Sequence, residues 1–210
     1  MGAKKKDILI QFNRDIILAS ARKLFQLSGI NRTSMDEIAR EADCSKSTIY
    51  VYFKNKDEII NYIVYEHMVL LRNALQECTP DNKDFERSYY AICNTLVDFQ
   101  EQYPLYFESL LSEIDVEQEK IQQPGLLADI YKVGEQINDI IGELLKSGIE
   151  HNCLREDLEL IPTVFYLWSS ISGIILLANQ KQKYLKMRVG MDKTMFLNYS
   201  FKTLLQSIIK

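Results

Sequence analysis

A chain of 210 residues is long enough for one large domain or two small ones with a sizeable core. Apolar residues make up 47% and charged residues 26%, an ordinary globular balance that excludes a disordered or low-complexity chain. The net charge of −4, taken alone, argues against a nucleic-acid partner, but it is unevenly spread: residues 1–56 hold eleven Lys/Arg against six Asp/Glu, and residues 57–210 hold fourteen against twenty-three. That asymmetry implies a basic working end on an acidic body.

Helix formers dominate, and there are only eight Gly and four Pro. No stretch spaces short β-branched runs between turn signals, so the expected class is all-α. From Asp7 to Ser28, Ile10, Ile17, Ala21, Leu24 and Phe25 form a helical stripe, and Gly29 suits the C-terminal stop. Ser34 opens a second helix with Glu37 three places on, a capping box, and Ile38, Ala39 and Ala42 face inward. Ser45 caps a third, very short helix ending near Tyr52. Asn55, with Glu58 three places on, caps a long fourth helix bearing Ile59, Ile63, Val64, Met68 and Leu71. The second and third helices have about two turns each, too few to stand alone in water. They must rest on the first and fourth, which is helix-turn-helix geometry.

Further on, breaks are expected at 79–83, 122–125, 151–157 and 186–192. Helices are expected at 84–101, 103–119, 126–150, 157–180 and 192–209, with Pro104 and Pro162 in first turns. The most apolar run, Val164 to Ala178, has fifteen residues, four of them Ser or Gly, short of the roughly 20 a membrane span needs. A buried helix and no membrane partner are expected. Cys44, Cys78, Cys93 and Cys153 are scattered with no C-x-x-C, and no apolar signal peptide follows Met1. Free thiols in a reducing cytoplasm, no metal and no cofactor follow as expectations.

The pattern Ala21, Leu24, Phe25, Gly29, Thr33, Ser34, Met35, Ile38, Ala39, Ala42, Ser45, Lys46, Thr48, Ile49, Tyr50, Tyr52, Phe53, Lys54, Lys56 resembles the N-terminal domain of the tetracycline-repressor (TetR) family of bacterial transcription regulators. The resemblance is specific over about residues 10 to 60. It departs from the family's usual Gly-Val turn at Asp43-Cys44, and from its frequent Gly or Pro at Ser47. It implies a helix-turn-helix DNA-binding domain, residues 1–56, joined by a long helix to a helical effector-binding and dimerisation domain, residues 57–210. The partners it implies are a palindromic double-stranded operator, a second copy of the chain and a small-molecule effector.

A recognition helix puts its N-terminal half into the major groove. Lys46 and Ser47 stand at that tip and Tyr50 one turn on; a lysine reaches the guanine O6 and N7 acceptors. Thr48 and Tyr52 lie to the sides, where hydroxyls meet phosphates. Lys56, Thr33 and Ser34 sit at helix starts that favour a phosphate. Ser45 is an N-cap first and a phosphate contact second. Ile49 and Phe53 take the inward spacing, which leaves Tyr50 and Tyr52 exposed. Lys4 to Lys6 are either a solvated start or a flexible arm along the DNA backbone.

In the acidic body, Tyr62, Tyr65, Tyr103, Phe107, Tyr131, Tyr166 and Trp168 are the candidates to line an apolar effector pocket, the alternative being plain core. Glu108 and Glu113 would favour a cationic ligand if buried; the surface is the other option. Leu167, Ile171, Ile174 and Phe196 are the candidates for a dimer face on the last two helices, with Ser169, Ser172 and Gly173 allowing close approach. Three functions compete. One is a ligand-responsive repressor. The second is a DNA-associated helical adaptor working through a protein partner, which direct effector binding would separate from the first. The third, an enzyme, finds only His67 and His151, no phosphate loop and no spaced nucleophile–base pair.

Overall fold

The computed structural model describes residues 2–78, 84–110 and 123–210. Among them every regular element is an α-helix; the one extended pairing is an isolated antiparallel bridge between Leu154 and Ile209. The all-α expectation is met. The described residues fall into two compact units, one of 2–68 and 123–131, the other of 69–78, 84–110 and 132–210. The division between these units falls inside a helix, between Met68 and Val69.

The first unit holds α1 (Gly2–Ser28), α2 (Met35–Glu41), α3 (Lys46–Tyr52) and the opening turns of α4 (Lys56–Cys78). Its core is made by Ile17, Ala21 and Phe25 of α1, Ile38 and Ala39 of α2, Ile49 and Phe53 around α3, and Ile59 and Ile63 of α4, all buried. These are the inward positions that the periodicity picks out. α1 is longer than its apolar stripe foretells. It begins at Gly2, so residues 4–6 continue a helix and form no extended arm. Its first turns project: Ile8, Leu9 and Phe12 are exposed, and so is Ile10, which the periodicity places inward.

The second unit holds the rest of α4, then α5 (Phe85–Gln102), α6 (Pro104–Ser109), most of α7 (Leu126–Glu150), α8 (Leu160–Gln180), α9 (Gln182–Val189) and α10 (Lys193–Gln206). α8 packs on α5, α9 and α10. Leu167, Ile171 and Ile175 of α8 are buried with Tyr89 and Leu96 of α5 and Phe201 and Leu204 of α10. The buried Tyr89 hydroxyl donates to the Phe201 carbonyl at 2.9 Å, which satisfies it without water. The C-terminus is tied back, Arg155 N donating to Ile208 O at 3.0 Å and Lys210 N to Cys153 O at 3.2 Å. The four cysteines are free thiols, and burial pushes Cys93 up to about 12.

Two element expectations change. A helix, α9, occupies the start of the break expected at 186–192. Leu185 anchors it to the core, and Gly190 ends it at φ 73°, a left-handed stop. The helix expected over 103–119 is present to Ser109, and residues 111–122, Glu113 among them, lie outside the described residues, as does the break at 79–83. α8 is long and apolar enough to cross a membrane by length and composition.

At one glycine the packing is close enough to predict a defect. A Cβ on Gly148 of α7 would lie 2.8 Å from Leu154 Cδ1 and 2.8 Å from Phe85 Cδ2. Gly148→Val is expected to destabilise the second unit by about 1–3 kcal/mol through overpacking. Thermal unfolding measures it; an unchanged midpoint means that Leu154 and Phe85 step aside at no cost.

Candidate nucleic-acid interface

Two short helices joined by a tight turn need every terminal donor satisfied, because neither is long enough to absorb a loss. At the start of α2 the Ser34 Oγ accepts from Glu37 N at 3.3 Å, and Glu37 Oε2 accepts from Ser34 N at 2.8 Å. The capping box expected from the spacing is present. The Ser34 hydroxyl, donating to Glu37 Oε2 at 2.7 Å, and after it Ser34 N hold the Glu37 carboxyl below its usual range. α2 ends in a turn whose Asp43 sits at φ 51°, a left-handed value that a short polar side chain tolerates. Cys44 is half-buried beside it, and desolvation raises its thiol pKa. Ser45 then caps α3, accepting from Thr48 N at 3.0 Å, and its Oγ also meets the hydroxyls of Ser47 at 2.8 Å and Thr48 at 2.7 Å. Asn55 Oδ1 accepts from Glu58 N at 2.9 Å and opens α4.

On α3, Lys46, Ser47 and Tyr50 are exposed and form its outward face, while Ile49 is buried. Lys46 Nζ lies 2.9 Å from the Asp36 carboxylate of α2, which raises its pKa and secures its charge. Ser34, Ser45 and Ser47 are exposed hydroxyls and Thr48 is half-buried.

Three of the expected DNA contacts are placed differently. Thr33 is 3% exposed and its Oγ1 donates to Gly29 O at 2.9 Å, so the hydroxyl is spent inside the loop between α1 and α2. Lys56 Nζ donates to the carbonyls of Ile30 and Thr33, both at 3.0 Å. It clamps the same loop through two of its own carbonyls. Tyr52 is half-buried, and its hydroxyl accepts from Asn13 Nδ2 of α1 at 2.7 Å.

Sequence reasoning missed the element that aims α3. Arg14 of α1 donates to the Tyr52 carbonyl at 3.1 Å, and its guanidinium lies 4.6 Å from the Phe53 ring centroid and 4.4 Å from that of Tyr62. Cation–π contact on two rings fixes the C-terminal end of α3 to α1 and α4. Nothing local in the sequence signals it, since the partners stand 38 or more positions apart.

Tyr62, one of the effector candidates, packs edge-on to Phe53 at 5.7 Å beside the C-terminal end of α3. Tyr65 is half-buried in the same unit. Tyr131 is on the surface. In the second unit Phe107 is buried, Tyr103 packs on Phe99 at 5.2 Å, Trp168 is half-buried, and Tyr166 is exposed with its hydroxyl 3.2 Å from Ser207 Oγ. Glu108 is exposed.

The sequence model described as "Bacterial regulatory proteins, tetR family" matches residues 17–63, which span the core of α1, the two short helices and the start of α4. The segment 17–63 is thus a tetR-family N-terminal domain. An uncharacterised HTH-type transcriptional regulator of Haemophilus influenzae is 28% identical over 94 residues, 45% of this chain and 50% of that one, so the likeness spans half the length of that relative. Two solved structures share the fold along nearly the whole chain. One is titled as fatty acid degradation regulator FadR from Bacillus halodurans, with TM-score 0.67, 17% identity and cover of 92% of this chain and 94% of that one. The other is titled SmeT-Triclosan complex, with TM-score 0.63, 19% identity and cover of 94% and 92%.

Proposed function

We propose that this chain is a cytoplasmic, sequence-specific DNA-binding transcription regulator of the tetR family, a repressor that leaves a palindromic operator when a small apolar or amphipathic molecule binds. The observation that carries it is the outward face of α3. Lys46, Ser47 and Tyr50 are exposed on a two-turn helix that three caps and the Arg14 clamp hold in one orientation. A helix so short gains nothing from exposure by itself; a fixed, polar, exposed helix tip is what major-groove reading requires. Lys46→Ala and Tyr50→Ala are expected to lose discrimination by about 1–3 kcal/mol while non-specific affinity falls less. Binding to a set of operator variants measures this. An equal loss on every sequence assigns both side chains to the phosphate backbone.

The same reading requires a dimer, because two recognition helices must meet major grooves about 34 Å apart. Here the structure changes the candidates. Leu167 and Ile171 are buried within the protomer, as is Ser172, while Ile174 and Phe196 are half-buried. The apolar side chains free to meet a second copy are Ile161, Phe165 and Leu177 of α8 with Met195 and Tyr199 of α10.

The effector is the remaining part. α4 is one continuous helix from Lys56 to Cys78 and runs through the boundary between the units. A ligand against its later turns can tilt it and alter the spacing of the two reading helices. Of the similar proteins, one is a fatty acid degradation regulator and another is a triclosan complex, both apolar chemistry. A ligand shifts the equilibrium only by its differential affinity, typically about 1–3 kcal/mol, and reciprocity demands that operator weaken ligand binding equally. Calorimetry with a fatty acid, with and without operator, is expected to show that loss. Equal affinity in the two titrations removes the inducer role.

A further inference from the structure

α9 joins α8 to α10 and packs on both. Leu185 is its one buried residue, and every other residue from Lys181 to Gly190 is exposed. Four cations stand on this short stretch: Lys181, Lys183, Lys186 and Arg188. The ion pairs of other cations in the second unit are Lys146–Glu143, Arg155–Asp157, Lys193–Glu101 and Lys210–Glu156; among the described residues none of the four takes part in one. Along the chain no residue from Leu160 to Met191 is acidic, and Asp192, the next carboxylate, accepts from Met195 N at 2.8 Å as the cap of α10. By contrast, Lys46, Lys56 and Arg22 in the first unit are all engaged with acceptors. The chain therefore concentrates unneutralised positive charge on a body that is acidic as a whole.

Apolar side chains alternate with these cations. Tyr184 is 54% exposed, Met187 78% and Val189 53%. With Leu185 turned inward, steps of 100° place Lys183 and Met187 on the outward side of the helix, flanked by Tyr184 and Lys186. A surface that offers cations and apolar groups together suits a partner with negative charge above and hydrocarbon below.

We propose that α9 docks the protein on an anionic lipid bilayer. Lipid phosphates meet Lys183 and Lys186, and Met187 with Tyr184 enters the boundary between headgroups and acyl chains. Duplex DNA offers phosphates for the cations but nothing for Met187, so it accounts for only part of the patch. The attachment is peripheral and needs no spanning helix. A single eight-residue helix binds weakly; two copies in one particle bind far better, and only this avidity rests on the dimer proposed above.

The test is flotation of the full chain with vesicles of phosphatidylglycerol and phosphatidylcholine, against vesicles of phosphatidylcholine alone. Wild type is expected to float only with the anionic vesicles and to release at high salt. Lys183→Gln with Lys186→Gln is expected to lower the partition coefficient by at least about tenfold. Met187→Glu is expected to lower it also, and Met187→Leu to keep it. All of these positions are exposed, so the variants fold, and their binding to operator, read by gel shift, is expected to match wild type. Wild type that stays in the soluble fraction overturns the proposal, and so does flotation that survives both the lysine and the Met187→Glu variants. Variants that float normally but lower the salt slope of operator binding assign the patch to DNA. Loss of operator binding by the wild type sinks the regulator reading and leaves the vesicle result standing on its own.

Discussion

Phe165→Glu is expected to leave the chain monomeric and to lower operator affinity by about 10²–10⁴-fold, the gain that linking two half-sites provides. The side chain is 57% exposed on α8, within the apolar group of Ile161, Leu177, Met195 and Tyr199 that α8 and α10 present together. α8 carries no Lys, Arg, Asp or Glu, so a carboxylate buried on it against α8 of a second copy meets no counter-charge from that helix. An unpaired charge in a dry interface costs several kcal/mol, enough to dissociate a dimer of ordinary affinity. Because Phe165 is exposed in the protomer, the variant keeps its helical circular dichroism. That separates it from Leu167→Glu, which puts a charge at a site 2% exposed and unfolds the unit whether or not a dimer forms. Sedimentation of Phe165→Glu as a dimer would falsify this interface.

Lys56→Ala is expected to destabilise the helix-turn-helix unit by about 1.5–3 kcal/mol, the usual worth of hydrogen bonds to a charged group. Its ammonium holds the carbonyls of Ile30 and Thr33 at 3.0 Å each, and these are the acceptors that set the loop between α1 and α2. Without the clamp, α2 loses its fixed approach to α1 and the reading helix loses its footing. Amide exchange resolves the effect best, because the chain has two units and a single unfolding midpoint mixes them. Protection is expected to fall in α1 and α2, and the log–log salt slope of operator binding to stay as in wild type. A slope lower by about 1 with unchanged exchange returns Lys56 to the phosphate role that its place at a helix start first indicates.

These two residues show where sequence reasoning stops. The helix-turn-helix was legible because its devices are local. Ser34 with Glu37, Ser45 with Thr48, and Asn55 with Glu58 act across three positions, and Gly29 and Asp43 act on their own φ. Interactions of that range are written in order along the chain, so capping rules read them directly. The inward set Ile38, Ile49, Phe53, Ile59 and Ile63 was legible for the same reason, since helical periodicity fixes a face once the helix is known.

Tertiary structure alone decided what the long side chains do. The Lys56 clamp spans 26 and 23 positions, the Asn13–Tyr52 bond 39, and the Arg14–Tyr52 bond 38. A flexible cation or phenol reaches whichever acceptor the packed helices bring near, and no spacing rule names that acceptor. α8 gives the other case. It is apolar around much of its circumference, so its sequence names no inward side; packing against α5 and α10 buries Leu167 and Ile171 and leaves Ile161 and Phe165 in the open. The class of fold and the tip of the reading helix were thus set by short-range chemistry. The clamp under that helix, the free face of α8 and the bare cations of α9 were set by which distant surfaces the core had already used.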